Sequence, residues 1–232
     1  GIIVVIVVAV IAYMVVSDSK QEELLKQEIV NLSNKDLAKD DFSIEVKTKG
    51  DYAYIEESIK KYYKELSDNV KKSNELMSDE DLINILSPSN LAQEDETMDA
   101  SYQKVTQAKV QMQQVLQNMM DLCTEEKILS LIDKEKVDSY YYDLYKELMY
   151  TEEDLKELEE TRKSAENLAN TLDDFFDKVL EILDFLQDNY GDWYVEDDQL
   201  YLLTDEQVEQ YNQLYEELQD LASELETLGT TI

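Results

Sequence analysis

The chain has no histidine, and it holds only one cysteine, one proline and four glycines. Without histidine it lacks the commonest general base and metal ligand of proteins. The lone cysteine, Cys123, excludes an intramolecular disulfide and a zinc cage built from several cysteines. The small number of glycines and the single Pro88 argue against a loop-rich enzyme and against a fold dominated by β-sheet.

Positive charge is also scarce. The chain carries 21 lysines and arginines against 54 aspartates and glutamates, which gives a formal net charge of −33. Residues 179–232 contain fifteen acidic residues and no lysine or arginine. A surface with this charge repels the phosphates of nucleic acids, so the sequence predicts no nucleic-acid partner.

The first sixteen residues, GIIVVIVVAVIAYMVV, contain no charged side chain. A helix needs about 20 apolar residues to cross a bilayer, and this run is slightly shorter. Because the chain begins at Gly1, we interpret residues 1–16 as a transmembrane helix whose start is missing, in contact with the lipid bilayer. The hydrophobic core of a cleaved signal peptide and a buried helix are the alternative interpretations.

The stretch 151–190 contains no glycine or proline, and it begins at Thr151, a favourable N-cap residue that three carboxylates follow. Apolar or small residues then recur with gaps of three and four: Leu158, Thr161, Ala165, Leu168, Leu172, Phe175, Val179, Ile182 and Leu186. This spacing predicts a long helix packed on other helices. Phe176, Leu180 and Leu183 add a second apolar row, so we expect the second half of the helix to be covered on two sides.

Similar patterns predict three more long helices, at about 51–77, 98–123 and 204–228. Gly191 ends the third of the four helices, and alternating apolar residues over about 193–202 predict a small β-hairpin. The predicted fold class is therefore all-α. We expect an elongated antiparallel up-down bundle of about four main helices, with the hairpin between the last two and the transmembrane helix before the first.

The predicted domain organisation has four parts. Residues 1–16 form the anchor, residues 17–50 a membrane-proximal stalk or linker, residues 51–228 the acidic bundle and residues 229–232 a disordered tail. Within the stalk, the alternation from Phe42 to Val46 predicts an extended segment. The first bundle helix carries five lysines and the last carries no base, so we expect these two helices to be neighbours of opposite charge.

Clustered carboxylates are the most visible candidates for chemistry, for example Asp79-Glu80-Asp81 and Glu196-Asp197-Asp198. None has the spacing of an EF-hand loop, and we interpret the clusters as helix caps and solvated faces. The sequence holds no nucleophile, phosphate-loop or metalloprotease motif. We therefore predict a protein that is not an enzyme, with no catalytic residue, no metal, no cofactor and no small-molecule substrate.

Aromatic residues are the candidates for binding. The chain has sixteen tyrosines, of which a group lies at 140–150. Tyr141 and Tyr145 share a helical face with apolar residues and are predicted to be core. We predict a possible interaction surface from the others and from the hairpin tryptophan: Tyr140, Tyr142, Tyr150 and Trp193.

Together these features favour a membrane-anchored, non-enzymatic helical protein that acts as an interaction, spacer or scaffold domain at a bacterial cell envelope. We expect one membrane pass, a protein partner, and the bulk of the chain outside the cytoplasm. Two alternatives stay open. One is a membrane-anchored scaffold of the spectrin-like type on the cytoplasmic side, which lysines and arginines before the span would favour. The other is a secreted helical effector or toxin.

Overall fold

The structure, a computed structural model, describes residues 20–231. Within this range the chain is mostly helical, with a single pair of strands. The helices are α1 (Lys20–Ser33), α2 (Asp51–Met77), α3 (Glu80–Ile83), α4 (Pro88–Leu91), α5 (Asp99–Leu122), α6 (Glu125–Ser130), α7 (Ser139–Met149), α8 (Glu152–Asp188) and α9 (Asp205–Thr231). The strands are β1 (Trp193–Glu196) and β2 (Gln199–Leu202).

The four predicted long helices are confirmed as α2, α5, α8 and α9. Two of them begin at caps that involve only neighbouring residues of the sequence. Thr151 accepts a hydrogen bond from the backbone N–H of Asp154 at 3.2 Å, and its own N–H donates to the Asp154 carboxylate at 2.6 Å. Thr204 and Gln207 make the same reciprocal pair at the start of α9, at 3.2 Å in both directions. Such pairs satisfy backbone N–H groups that have no partner inside the helix.

The chain divides into two compact units. Unit 1 contains residues 20–74 and 115–165 of the described range, and unit 2 contains residues 75–114 and 166–231. Helices α5 and α8 each contribute one part to each unit.

In unit 1, α2 and the end of α5 are antiparallel. The Tyr62 hydroxyl donates to the backbone oxygen of Leu122, while further along α2 Asn69 accepts from the side chain of Asn118. The buried core of this unit also includes residues of α1, α6, α7 and the start of α8: Leu25, Ile29, Leu32, Phe42, Ile55, Ile59, Tyr62, Tyr63, Leu66, Leu122, Cys123, Ile128, Ile132, Val137, Tyr145, Leu148, Tyr150 and Leu158.

In unit 2, α8 is antiparallel to both α5 and α9. Lys109 of α5 pairs with Asp177, and Lys178 of α8 pairs with Glu217 of α9. As predicted, the second half of α8 is buried along two rows, and several of its residues join the buried apolar residues of unit 2: Leu76, Ile85, Leu91, Met98, Val105, Ala108, Met112, Leu168, Phe176, Val179, Ile182, Leu183, Leu186 and Leu218.

The predicted β-hairpin is confirmed. Strands β1 and β2 are antiparallel, with Tyr194 opposite Tyr201 and Trp193 opposite Leu202. The turn residues Asp197 and Asp198 both have positive φ, at 50° and 59°. Two such residues in succession match the tight turns that fit the twist of a hairpin, and aspartate tolerates this conformation better than most residues.

The segment predicted to be a stalk differs from the expectation. Over its described residues it belongs to unit 1, and α1 buries Leu25, Ile29 and Leu32 in the core of that unit. The extended segment predicted around Phe42 forms no strand; Phe42 is buried instead, with its ring stacked on Tyr63 at 6.3 Å. A stripe of few apolar residues on a charged helix was too weak a signal to predict this packing.

A buried ion network explains how a charged helix packs there. The Lys60 ammonium on α2 donates to Glu28 of α1 at 2.8 Å and to Glu56 at 2.6 Å, and all three side chains are almost fully buried. The second oxygen of Glu56 accepts from the backbone N–H and the hydroxyl of Thr48, at 2.7 and 2.6 Å. The network therefore joins α1, α2 and the loop between them.

The lysines of α2 were expected to face the last helix. Instead, Lys60 pairs inside unit 1 as described, while Lys61 and Lys64 pair with Glu57 and Asp68 on α2 itself. Helix α9 belongs to unit 2. Carboxylates four residues away were available to these lysines, and such local pairs need no second helix.

Two further predictions concern the ends of the chain. Among residues 20–231 no helix combines the length and the apolarity needed to cross a bilayer, and the predicted anchor at residues 1–16 lies outside the described residues. Residues 229–231 were predicted to be a disordered tail, but α9 continues through them to Thr231. One glycine within a helix costs about 1 kcal/mol, which does not by itself end the helix.

The first testable prediction concerns Lys60. Its replacement by alanine leaves the carboxylate of Glu56 buried without a cation, while Glu28 keeps only its pair with the exposed Lys47. We expect the free energy of unfolding to fall by about 3–5 kcal/mol, the usual cost of removing one partner of a buried ion pair. Urea denaturation followed by circular dichroism measures this change.

The matched control is Lys61→Ala. Lys61 also pairs with a glutamate four residues earlier, but its side chain is 42% exposed and that of Glu57 is 40% exposed. We expect it to cost about 0.5 kcal/mol or less, as exposed helix pairs do. Equal losses for the two variants would show that burial of the network contributes nothing.

The second prediction concerns pH. Burial alone would raise the pKa of Glu28 and of Glu56, but their bonds to lysine, with further bonds to Thr48 for Glu56, outweigh it and lower both below 4.5. The stabilisation by these carboxylates is therefore complete above that pH and is lost as the pH falls through their folded pKa values. In Lys60→Ala, Glu56 loses the bond that most lowers its pKa, while Glu28 keeps its bond to Lys47, so we expect the pKa of Glu56 to rise more than that of Glu28.

As the pH falls, the buried carboxylates of Lys60→Ala should therefore be protonated, and lose their unpaired charge, at a higher pH than those of the wild type. We expect the stability difference between wild type and Lys60→Ala to shrink as the pH is lowered from about 7 to about 4. Urea titrations at several pH values measure it, with Lys61→Ala as the reference. A difference that stays constant over this range would show that buried, ionised carboxylates are not the cause of the loss of stability in Lys60→Ala.

Candidate interaction surfaces

Three tyrosines form a row at the start of α7 and on α2 in unit 1, and of the three only Tyr140 is exposed. Tyr140 is 61% exposed, and its ring meets Tyr141 edge to face at 5.2 Å. Tyr141 in turn meets Tyr52 of α2 edge to face at 5.0 Å. We call Tyr52, Tyr140 and Tyr141 the tyrosine row. Edge-to-face contacts of this kind hold each ring in a defined orientation at the surface.

The other predicted tyrosines lie deeper. Tyr142 is half-buried against the core of unit 1. Tyr150 is buried, and its hydroxyl donates to Glu125 at 2.6 Å. Burial, followed by the bond to this carboxylate, raises the pKa of Tyr150. A partner therefore reaches Tyr140 directly, whereas Tyr150 is part of the packing beneath.

Trp193, in unit 2, faces inward from the hairpin. Its indole N–H donates to the backbone oxygen of Leu186 at 2.8 Å, near the end of α8, and its ring meets Tyr190 edge to face at 5.8 Å. The bond to Leu186 satisfies a carbonyl near the end of α8, so Trp193 closes the end of that helix and is only partly exposed.

The opposite face of the hairpin carries aromatic residues that the sequence reasoning missed. Tyr194 and Tyr201 stack across the strands at 5.2 Å, and they are 47% and 37% exposed. Successive residues of a strand point to opposite faces, so the inward position of Trp193 requires an outward Tyr194. The alternation along the strand could therefore have predicted from the sequence that Tyr194 and Tyr201 are exposed.

A second pair that was not predicted lies on α9. The Tyr211 and Tyr215 rings are parallel to within 18°, with centroids 6.0 Å apart. Tyr211 is partly covered by Phe185 of α8, at 6.1 Å, while Tyr215 is 40% exposed. Tyr215 lies one helical turn after Tyr211 on the same side of α9.

The acidic clusters are used as caps and ion pairs. Asp79 is the N-cap of α3, accepting from the N–H of Leu82 at 3.1 Å, and it pairs with Lys104 at 2.6 Å. Asp95 accepts from the N–H and the hydroxyl of Thr97. Within the described part of the chain, no group of three or more carboxylate or thiol side chains is arranged to hold a metal ion.

Two polar clefts accompany these features. One, of about 400 Å³, lies in unit 1 and is lined by Glu65, Asp68, Asn69, Asn118, Asp121 and Lys127. The other, of about 460 Å³, lies between α8 and α9 in unit 2 and is lined by Asp174, Asp177, Lys178, Glu181, Glu217, Asp220 and Leu221. In both clefts a lysine is paired with a glutamate, Lys127 with Glu65 and Lys178 with Glu217.

Cys123 is not placed for nucleophilic chemistry. Its side chain lies in the core of unit 1, and burial raises the pKa of the thiol to about 11, slightly opposed by the charge of Arg162. The thiolate is the reactive form of cysteine, so this group is almost entirely unreactive near neutral pH.

No protein-family model matches the chain, and neither the curated proteins nor the solved structures include one with significant similarity to it.

The third prediction concerns the Cys123 thiol. The rise in its pKa from 9.0 to about 11 lowers the thiolate fraction near neutral pH about a hundredfold, and burial slows access further. We expect reaction with a chromogenic disulfide reagent to be at least about a hundredfold slower in the folded chain than in urea. The control is Cys123→Ala/Ser130→Cys, with its thiol at an exposed position of α6. Equal rates for the two folded proteins would contradict the burial.

Proposed function

We propose that the protein is a membrane-anchored, non-enzymatic interaction, spacer or scaffold domain at a bacterial cell envelope. Residues 1–16 are the single membrane span, and the bulk of the chain lies outside the cytoplasm. The fold predicted from the sequence, an antiparallel up-down bundle of about four main helices that follows a transmembrane helix, is part of this proposal.

The observation that carries the proposal is the uncharged run of residues 1–16 in a chain that is otherwise strongly acidic. Aliphatic residues at nearly every position leave such a helix no polar face for water, whereas a bilayer solvates it on all sides. The acidic remainder repels anionic lipid headgroups and stays in the aqueous phase.

The interaction role is supported by the aromatic surfaces. Tyrosine is enriched where proteins bind each other, because a rigid ring covers a large area with little loss of conformational entropy. Tyr140 is largely exposed, and its contact with Tyr141 already restricts its orientation. The absence of histidine and the burial of the one thiol support a role without catalysis.

The fourth prediction tests the anchor. We expect the full chain, expressed in bacteria, to remain in the membrane fraction after extraction at alkaline pH, and a chain that begins at residue 17 to be released. Val8→Asp should release the full chain as well, because a carboxylate at the centre of a span costs about 2.5–3.5 kcal/mol. Ser19→Asp, which lies outside the apolar run, is the matched control and should stay in the membrane.

The orientation is tested on the same cells. A protease added to spheroplasts should digest the acidic domain if it lies outside the cytoplasm, while protection from the protease would place it on the cytoplasmic side. Identical fractionation of the full chain, the shortened chain and Val8→Asp would contradict the anchor itself.

A further inference from the structure

Helix α9 is the least covered long helix of unit 2. Of the residues described from Asp205 to Leu228, only Gln207 and Leu218 are buried. The helix lies against α8, through an ion pair of Glu217 with Lys178 and a hydrogen bond that Glu224 accepts from Thr171. The other residues of this range are half-buried or exposed.

An apolar stripe runs along the exposed edge of the contact with α8. Its members are spaced three, four and seven residues apart, and we call them the α9 stripe: Val208, Tyr211, Tyr215 and Ala222. Tyr211 contacts Phe185 of α8, and the other three members lie within about 20–60° of it around the helix, so the stripe runs beside the contact with α8. Val208 and Tyr215 are 39% and 40% exposed, and Ala222 is also exposed.

The stripe is held in place from within. Tyr211 rests against Phe185 of α8, and the ring of Tyr215 stacks on Tyr211. Because both rings are oriented before any partner arrives, little side-chain entropy remains to be lost on binding. Beside its contact with α8, α9 therefore offers an apolar ridge whose two aromatic rings are already ordered.

Charge indicates what can cover this ridge. Helix α9 contains eight carboxylates and no lysine or arginine. Several are exposed and flank the stripe on its solvent side: Asp205, Glu209, Glu216 and Glu226. A partner that brought its own carboxylates here would be repelled, whereas lysine and arginine would find both carboxylates and the faces of tyrosine rings.

We propose that the α9 stripe and its flanking carboxylates form a docking surface for a basic amphipathic helix of another protein. Apolar residues spaced three and four apart on one helix fit the grooves of a second helix, and its lysines or arginines reach the carboxylates on the solvent side of the stripe. A second copy of this chain is disfavoured, because each copy carries a net charge of −33. The inference rests on the proposed interaction role and names the class of partner.

The test uses designed peptides and the full chain in uncharged detergent. The probe is a helical peptide of about three heptads with a leucine seam and lysine at the flanking positions. One control peptide keeps the seam but has glutamate in place of lysine, and another keeps the lysines but disperses the leucines. Titration calorimetry measures binding, and titration into detergent alone is subtracted.

We expect the leucine–lysine peptide to bind and both control peptides to bind at least about tenfold more weakly. The double variant Val208→Ser/Tyr215→Ser should weaken binding about tenfold or more, as loss of a central aromatic contact does. The second double variant, Glu209→Gln/Glu216→Gln, should also weaken binding. It keeps the apolar residues, so it tests the surface even if the first variant does not fold. Tyr140→Ser, an exposed tyrosine of unit 1, should change binding less than about twofold.

Several outcomes would overturn the proposal. Equal binding of the peptide with dispersed leucines would reduce the effect to unspecific charge attraction. Wild-type affinity in the folded α9 variants would place the site elsewhere. A dimer in sedimentation that Tyr215→Ser dissociates would assign the surface to a second copy. Membrane fractionation is independent of all three, so loss of the anchor would overturn the proposed localisation and leave this docking surface standing.

Discussion

The structure of unit 1 depends on the buried network of Glu28, Lys60 and Glu56. Removing three charges from water is costly, and the geometry recovers that cost only because both lysine–carboxylate contacts are short and the remaining oxygens are bonded. A purely apolar replacement of such a network is often no less stable. We therefore interpret the network as the device that selects one position for α1 and for the loop that contains Thr48.

Lysines in unit 2 have a different role. Lys109 and Lys178 lie at the rims of the contacts that α8 makes with α5 and α9, each bridging to carboxylates of a facing helix. Exposed pairs of this kind contribute little stability, but they fix the register of antiparallel helices. These lysines come from α5 and α8. Helix α9 itself contains no lysine or arginine that could offset its carboxylates.

That imbalance connects the architecture to the proposed role. In the proposed role, an acidic chain would repel nucleic acids and like-charged proteins, and its specific contacts would come from surfaces where apolar residues stand among carboxylates. The tyrosine row and the α9 stripe are two such surfaces, one in each unit. The scaffold that we propose would gain from this arrangement, because it would repel acidic neighbours and bind a partner of opposite charge.

The sequence by itself determined the helices and the hairpin, because caps, heptads and turns act within a few residues. Thr151, Thr204 and Gly191 mark the ends of helices without reference to any distant part of the chain. Of the four residues predicted as a possible interaction surface, Tyr140 is largely exposed and Tyr150 is buried. Only the tertiary structure decided that Glu28 is inside and that Tyr150 is covered, because burial depends on helices far away in the sequence, which local patterns do not encode.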